Sequence, residues 1–359
     1  MANPTWRVDI HPLNGAIATL TDAPFADMAF NYVLNAPGSF EGSMGLEVAA
    51  ATKANFEPGQ KEVRVYRNSV LVWGGYLWAV QADVRGRRIQ VRAEGYHSRL
   101  RHRVVNADLI YDDGTPDNQE VIAWKLVQHA QAQVIGGNGT AGDMGMTRGA
   151  HVGASVARSR DYCRVDHDNI GDAIETLTNA DDGFDFEFTP TPTSATNKVF
   201  LTWSPLKGAD VSGTVIFTAA NTMNLSYDID ASEVANDIYA EGNSGCGMPE
   251  FESTAGASLT NFGVMQDVLQ TDVDHLPSVM SLAREAIRQR KQARWTITAE
   301  FNDQAGPAWA SFVVGDLVQV NVAKGFATIN QKFRCISYEV HVNGPRNTFI
   351  RAVLDSVIV

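Results

Sequence analysis

For the first hundred residues apolar and polar positions alternate in short runs. Met28-Ala-Phe-Asn-Tyr-Val-Leu34 alternates and ends in a turn, Asn35-Ala-Pro-Gly38. Val63, Val65, Val70 and Val72 keep a period of two on either side of Asn68-Ser69, and Trp73-Gly-Gly-Tyr76 marks a bend. Leu77 to Val84 resumes the alternation, and Arg85-Gly86 turns the chain into Ile89, Val91 and Ala93. Period-two runs separated by turn residues at intervals of about 8–12 positions predict an antiparallel β-barrel or sandwich.

The period then changes. The basic run Ser98-Arg-Leu-Arg-His-Arg103 reads as a short solvated helix or linker. Asp117-Asn-Gln-Glu120 spells a capping box and predicts a helix to about Gln133, with Ile122, Leu126 and Ala130 on one face. Ile170, Ala173, Ile174 and Leu177 predict a second helix over about Asn169 to Ala180, with Asp168 as its N-cap. Asp181-Asp182-Gly183 ends it and opens a hairpin. Phe184, Phe186 and Phe188 alternate on one arm, Val199, Leu201 and Trp203 on the other, and Thr189 to Ser194 form an exposed loop. Strands return with Leu225, Tyr227 and Ile229, and again over Ile238 to Gly242. Residues 243–275 are rich in Gly, Ser and Thr and read as irregular. A helix over Pro277 to Gln292 carries Val279, Leu282, Ala283, Ala286 and Ile287 on its apolar stripe, and its late positive charges suit the helix dipole. Four strand patterns follow, at Trp295–Phe301, Gly315–Val320, Phe333–Val342 and Thr348–Leu354.

The two β-rich ends echo each other. Gly59…Val63-Arg-Val65 and Arg85-Gly86…Val91-Arg-Ala93 resemble Gly315…Val318-Gln-Val320 and Asn343-Gly344…Ile350-Arg-Ala352. A long-period repeat of this kind predicts two related barrels. The expected class is mainly β (α+β), with two antiparallel β-barrel domains, a small α+β domain and a helix-containing insertion. The first barrel is assigned to 1–104 and the α+β domain to 105–215. The second barrel is split over 216–242 and 294–359, around an insertion at 243–293.

Composition narrows the function. Twenty-nine Lys and Arg against 41 Asp and Glu give a net charge of −12, which excludes binding nucleic acid by broad phosphate neutralisation. With 44% hydrophobic and 19% charged residues the chain is a folding one. No apolar run approaches the length of about 20 residues that spans a bilayer, so no membrane-spanning segment is expected. The start Met1-Ala-Asn-Pro-Thr-Trp-Arg-Val-Asp-Ile10 has no basic head and apolar core, so no signal peptide is expected. Cys163, Cys246 and Cys335 lie too far apart for a Cys-x-x-Cys pair, and they read as three buried thiols of a protein assembled in a reducing cytoplasm.

Several groupings imitate chemistry without completing it. Gly137-Asn-Gly-Thr-Ala-Gly142 has dinucleotide-loop spelling, but a predicted helix precedes it where a strand is needed. Cys163, Asp166, His167 and Asp168 are reactive types crowded into one loop before a helix, and one loop rarely gives nucleophile and base the required geometry. Asp228-Ile-Asp230-Ala-Ser232 begins like a calcium loop, yet Glu233 stands at its glycine position and Tyr239 at its final glutamate. Gly153-Ala-Ser155-Val-Ala157 lacks the apolar strand of a nucleophile elbow. Trp73, Tyr76 and Trp78 sit among strand residues and read as core and subunit interface rather than a stacking platform. No catalytic, cofactor-binding or metal-binding residue is assigned, and no cofactor is expected.

The order of features resembles the tail hub proteins of tailed bacteriophages, also called minor tail, tail-associated or baseplate hub proteins. Leu34-Asn-Ala-Pro-Gly-Ser-Phe40 is similar to the family's early turn, and Val63 to Tyr76 to its "vyrdG…vwgG" hairpin. Ile89 to Leu100 with Ala93-Glu-Gly95, and the helix and hairpin over Ile170 to Phe188, resemble the segments that follow. Tyr227 to Gly242, Gly315-Asp-Leu-Val318 and Arg334 to Val340 resemble the second barrel. The resemblance implies a non-enzymatic structural virion protein, assembled in the host bacterial cytoplasm and placed at the tail tip or baseplate. It implies a homotrimeric ring whose six barrels match a six-fold tail tube and distal tail ring. The other implied partners are the C-terminus of the tape measure protein and a three-fold central fibre or spike, with DNA only in transit through the lumen. Two alternatives belong to other classes. A cell-wall or capsule hydrolase of the tail tip needs a metal or triad site, and a receptor- or carbohydrate-binding tail module would rest on exposed aromatics.

Overall fold

A computed structural model describes residues 4–111, 117–134, 142–191, 198–242, 250–271, 273, 276–303, 306–344 and 348–356. Strands β1 (Trp6–Pro12), β2 (Asp27–Val33), β3 (Ser39–Gly45), β4 (Lys61–Arg67), β5 (Val70–Asp83) and β6 (Arg88–Gly95) lie side by side in the order β1-β4-β5-β6-β3-β2. Alternation sets their faces: along β6, Ile89, Val91 and Ala93 are buried and Arg88, Arg92 and Glu94 are exposed.

The C-terminal strands repeat this plan. Asn224–Asp230, Arg294–Asn302, Leu317–Lys324, Ala327–Asn343 and Thr348–Ser356 follow one another in the chain as β2 to β6 do, and they occupy the same places in the sheet. Ile216–Phe217 takes the place of β1, parallel where β1 is antiparallel. The first strand pair of the second half is opened by residues 231–293, where the first half has only the turn of 34–38.

Two barrels were the expectation from sequence, and a single open sheet is found. β2 pairs with Ser337–Asn343 over seven residues, from Asp27↔Asn343 to Val33↔Ser337, which fuses both halves into one twelve-stranded sheet, and no closed barrel is found among the described residues. The core is continuous across that join. Phe30 and Val65 of one half and Phe301, Val340 and Ile350 of the other belong to one buried cluster; Trp6 bridges it, edge to face with Phe30 and Trp309, and Trp309 lies tilted against Tyr338.

The α+β part shares a buried cluster with Tyr76, Tyr96 and Leu100 of the first half and reaches Arg334 of the second through Asp185. Helix α1 (Gln119–Ala132) and helix α2 (Ile170–Thr178) bury Ile122, Leu126, Ile170, Ile174 and Leu177 against Phe184 and against Phe186 and Phe200 of the hairpin Asp185–Pro190/Lys198–Ser204. That hairpin gains Met146–Gly153 as a parallel third strand.

Local details differ from the sequence expectation at three points. The helix expected to open on an Asp117/Glu120 capping box starts at Gln119 instead. Asp117 pairs with Lys125 at 2.5 Å, and Glu120 accepts from Ser155 at 2.7 Å. Asn169, not Asp168, caps α2, because its Oδ1 accepts from Asp172 N (3.2 Å) directly before the first helical residue. The stretch 243–275 read as irregular holds strands Glu250–Thr254 and Gln266–Gln270 and helix α3 (Gly256–Phe262), while helix α4 (Leu276–Arg290) begins just after it, where a helix was expected. The two strands flank Asp237–Glu241, which leaves the large sheet to make a small three-stranded one. Composition hid them because each strand is ordered by its pairing with Asp237–Glu241 and not by an apolar alternation of its own.

Candidate functional site

The reactive-looking groups of the sequence are dispersed by the fold. Of the thiols expected to be buried, Cys335 is, Cys246 lies outside the described residues, and Cys163 is exposed with His167 in a turn, where Asp166 N donates to Cys163 O (3.1 Å) and His167 Nδ1 lies 3.2 Å from Val165 O two residues back. Asp230 accepts from Ser232 N (2.8 Å) at the end of a strand, an ordinary Asx turn. Residues 137–141 of the glycine-rich loop lie outside the described residues. Trp73 and Tyr76 are buried, and their neighbour Trp78 donates from Nε1 to Ser98 Oγ (2.9 Å), so the three form no open platform. Among the described residues no three His, Cys, Asp or Glu side chains are grouped to hold a metal ion.

What the structure brings together instead is a junction where the α+β part meets both halves of the sheet. Two buried ionic nodes lie on it. Glu62 on β4 is 0% exposed and Lys198 on the hairpin 1% exposed. Lys198 Nζ donates to Glu62 Oε1 (2.8 Å), Asn14 Oδ1 (2.6 Å) and Met144 O (2.9 Å), using all three of its hydrogens. It also sits over the rings of Tyr76 and Tyr96, 5.3 and 5.1 Å from their centroids. The second oxygen of Glu62 accepts from Arg64 Nη2 at 2.9 Å. Burial lowers the Lys198 ammonium from its usual value and Glu62 opposes that shift.

The second node joins the hairpin to the other half. Asp185 accepts from Arg334 and from Lys207 N, and its Oδ1 accepts from Asn35 Nδ2 at 2.9 Å. Lys207 in turn pairs with Glu187 and lies over the Trp203 ring. A third contact closes the set: buried His97 donates from Nε2 to Glu175 Oε1 (2.8 Å), packed against Phe186 and Phe188. Burial holds the His97 imidazole below its usual value of 6.5. Burial alone would raise Glu175, but hydrogen bonds from His97 and Arg101 outweigh it and keep that carboxyl low.

Between the nodes lies a cleft of about 410 Å³ walled by Tyr32, Trp73, Tyr96, Phe188, Trp309 and Tyr338. Its walls are aromatic and the nearby charges are consumed in pairs, so no nucleophile faces a base across it. Chemically the arrangement locks three blocks of chain at fixed angles. Sequence reasoning missed it because Glu62, Lys198, Asp185 and Arg334 look like ordinary strand polar residues until their partners are placed opposite them.

The same architecture recurs in solved proteins. The tail protein from Neisseria meningitidis MC58 superposes with a TM-score of 0.63 at 11% identity, over 98% of this chain and 97% of that one. The fold is that of phage tail proteins. Prophage tail protein gp18 from Listeria monocytogenes gives 0.60 at 11% identity over 98% and 94% of the two chains. The 43 kDa tail protein of prophage MuSo2 from Shewanella oneidensis gives 0.61 at 10% identity over 98% of each. No family model and no curated protein sequence matches the chain. The tail-protein fold is therefore carried by strand order and core pattern, at an identity where few individual side chains coincide.

Proposed function

We propose that the chain is a non-enzymatic structural protein of a phage tail, acting as the hub at its distal end. The observation that carries this reading is the likeness over nearly the full length of both chains to three tail proteins. It is supported by the internal repeat, two copies of one five-strand plan in a single sheet. In this reading three copies form a homotrimeric ring with six sheet halves, matching a six-fold tail tube and distal tail ring above and a three-fold fibre or spike below. The four-part division at 104, 215, 242 and 293 belongs to the same proposal, as do the tape measure C-terminus as partner and the absence of any catalytic, cofactor or metal site.

The charge of −12 fits a lumen that DNA crosses without adhering, since a negative wall repels phosphate. The ionic nodes at the junction then serve to hold the halves of each copy rigid under the load of DNA passage. Native mass spectrometry tests the reading. A trimer near 117 kDa, three times 39.0 kDa, that caps isolated tail tubes is expected. A chain that stays monomeric and ignores tubes would overturn it, and clearing of host cell walls by the purified protein would overturn its non-enzymatic part.

A further inference from the structure

The repeated sheet plan uses one of its joins and leaves the matching one open. Inside the chain β2, the end strand of the first half, pairs with Ser337–Asn343, the free half of the long middle strand of the second. The counterpart of β2 is Asn224–Asp230, which ends the sheet and, among the described residues, pairs only with Arg294–Asn302. The counterpart of Ser337–Asn343 is the far half of β5, which beyond Leu77 pairs only with β6.

Two backbone markers fix the correspondence. Gly59 N donates to Leu77 O (2.7 Å) just as Gly315 N donates to Cys335 O (2.8 Å). Immediately afterwards the pairing with the next strand slips by one residue, between Leu77 and Ala79 and between Cys335 and Ser337. Ala79 is thus level with Ser337, and the hairpin pair Asp83↔Arg88 with His341↔Phe349. Crossing the sheet, Ala93↔Phe40↔Phe30 corresponds to Leu354↔Ile297↔Tyr227. This sets Ala93 level with Leu354, two residues beyond the match with Ala352 that the sequence echo suggests.

We propose that Asn224–Asp230 of one copy adds antiparallel to the free edge Ala79–Asp83 of β5 in the next copy, in the register that β2 uses within the chain, with Val84 and Arg85 of the following turn at the end of the contact. The proposal rests on the homotrimer reading above and names its contact. The internal apolar pairs Met28↔Val342, Phe30↔Val340 and Tyr32↔Tyr338 become Leu225↔Val84, Tyr227↔Ala82 and Ile229↔Val80 between copies. Every apolar position maps onto an apolar one. The intervening pairs, Asn31↔Glu339 among them, become polar or small ones such as Asp228↔Gln81. Met28, Phe30, Val340 and Val342 are buried, whereas Val84 is 74% and Ile229 40% exposed in the single chain, as expected for a face awaiting cover. Unpaired backbone on both edges would be satisfied by the same addition. The two edges differ, so the contact is head-to-tail and closes a ring, in which three copies give three internal and three external joins of one kind.

The test is Ile229→Cys with Val80→Cys in a Cys163→Ser, Cys246→Ser background, oxidised at the native assembly. Directly opposite residues have Cβ atoms about 4.5–5.5 Å apart, and a disulfide accommodates Cα separations of about 4.4–6.8 Å. Covalent dimers and closed trimers are expected on a non-reducing gel. The pair Ile229→Cys with Gln81→Cys, whose side chains face opposite sides of the sheet, should stay uncrosslinked. A native trimer in which the first pair crosslinks no better than the second overturns this contact and leaves the hub reading standing. A chain monomeric throughout overturns both.

Discussion

Replacing Glu62 by Gln probes the junction most directly. Glu62 is fully buried, and its two oxygens accept from Lys198 Nζ (2.8 Å), Asn14 N (3.0 Å) and Arg64 Nη2 (2.9 Å). In the variant one oxygen becomes an NH₂ that faces donors, and two buried cations lose their counter-ion. Leaving a buried charge uncompensated costs about 3–5 kcal/mol, so Glu62→Gln should lower the unfolding free energy by about that much. Lys198→Met removes the ammonium and keeps most of the volume, so it should relieve part of the damage. The double variant is expected to be more stable than the sum of the single effects, with a coupling of about 1–3 kcal/mol. Urea titration followed by near-UV circular dichroism measures all three. Hydrogen exchange should show the loss first in Lys198–Ser204 and β4, not at the Phe30–Val340 pair. A Glu62→Gln cost under about 1 kcal/mol, or strict additivity with Lys198→Met, would refute the view that this node fastens the α+β part to the sheet.

Three further outcomes follow from the same geometry. Because burial keeps the His97 imidazole below 6.5, the unfolded chain takes up a proton first as pH falls through that value. Stability is therefore full above pH 6.5 and declines below it, and His97→Phe should flatten the thermal-unfolding curve between pH 7 and 5. Burial pushes the Cys335 thiol up to about 12, so in native protein at pH 8 it should resist iodoacetamide, while exposed Cys163 is alkylated; peptide mass mapping reads both. A Cβ at Gly95 would lie 1.7 Å from Pro37 O, so Gly95→Ala must displace the turn after β2 and should cost about 1–3 kcal/mol or more, measured by denaturant midpoint.

Much of the fold was legible in the chain. The strands β2, β4, β5 and β6 and the stripe of α2 sit where period-two and 3.6-residue patterns placed them, because those patterns record which face each element buries. Signals that depend on a single side chain fared less well. Asp117, Asp168 and Glu120 all suited helix caps, yet each found a stronger partner or lay one residue from the true helix start. The strands around residue 260 were missed because polar sequences such as Gln266-Asp-Val-Leu-Gln270 are held to Asp237–Glu241 by the backbone ladder and by polar side-chain pairs, Gln266 with Asp237 and Gln270 with Glu241, which leave no period-two apolar pattern.

The junction and the open edges were not readable at all. Alternation along Met28–Val33 and along Leu225–Ile229 is equally regular, yet one strand is sealed against Ser337–Asn343 and the other ends the sheet. A strand's own sequence fixes which residues face inward, while its neighbour is chosen by complementarity with segments more than three hundred residues away. The same holds for Glu62 and Lys198, whose charges are tolerable in the interior only because the fold sets them 2.8 Å apart. The sequence by itself determined a mainly β, acidic, internally repeated chain with no assembled chemistry. Only the tertiary structure decided that the halves share one open sheet, because strand pairing and charge burial are settled by what arrives from elsewhere in the chain.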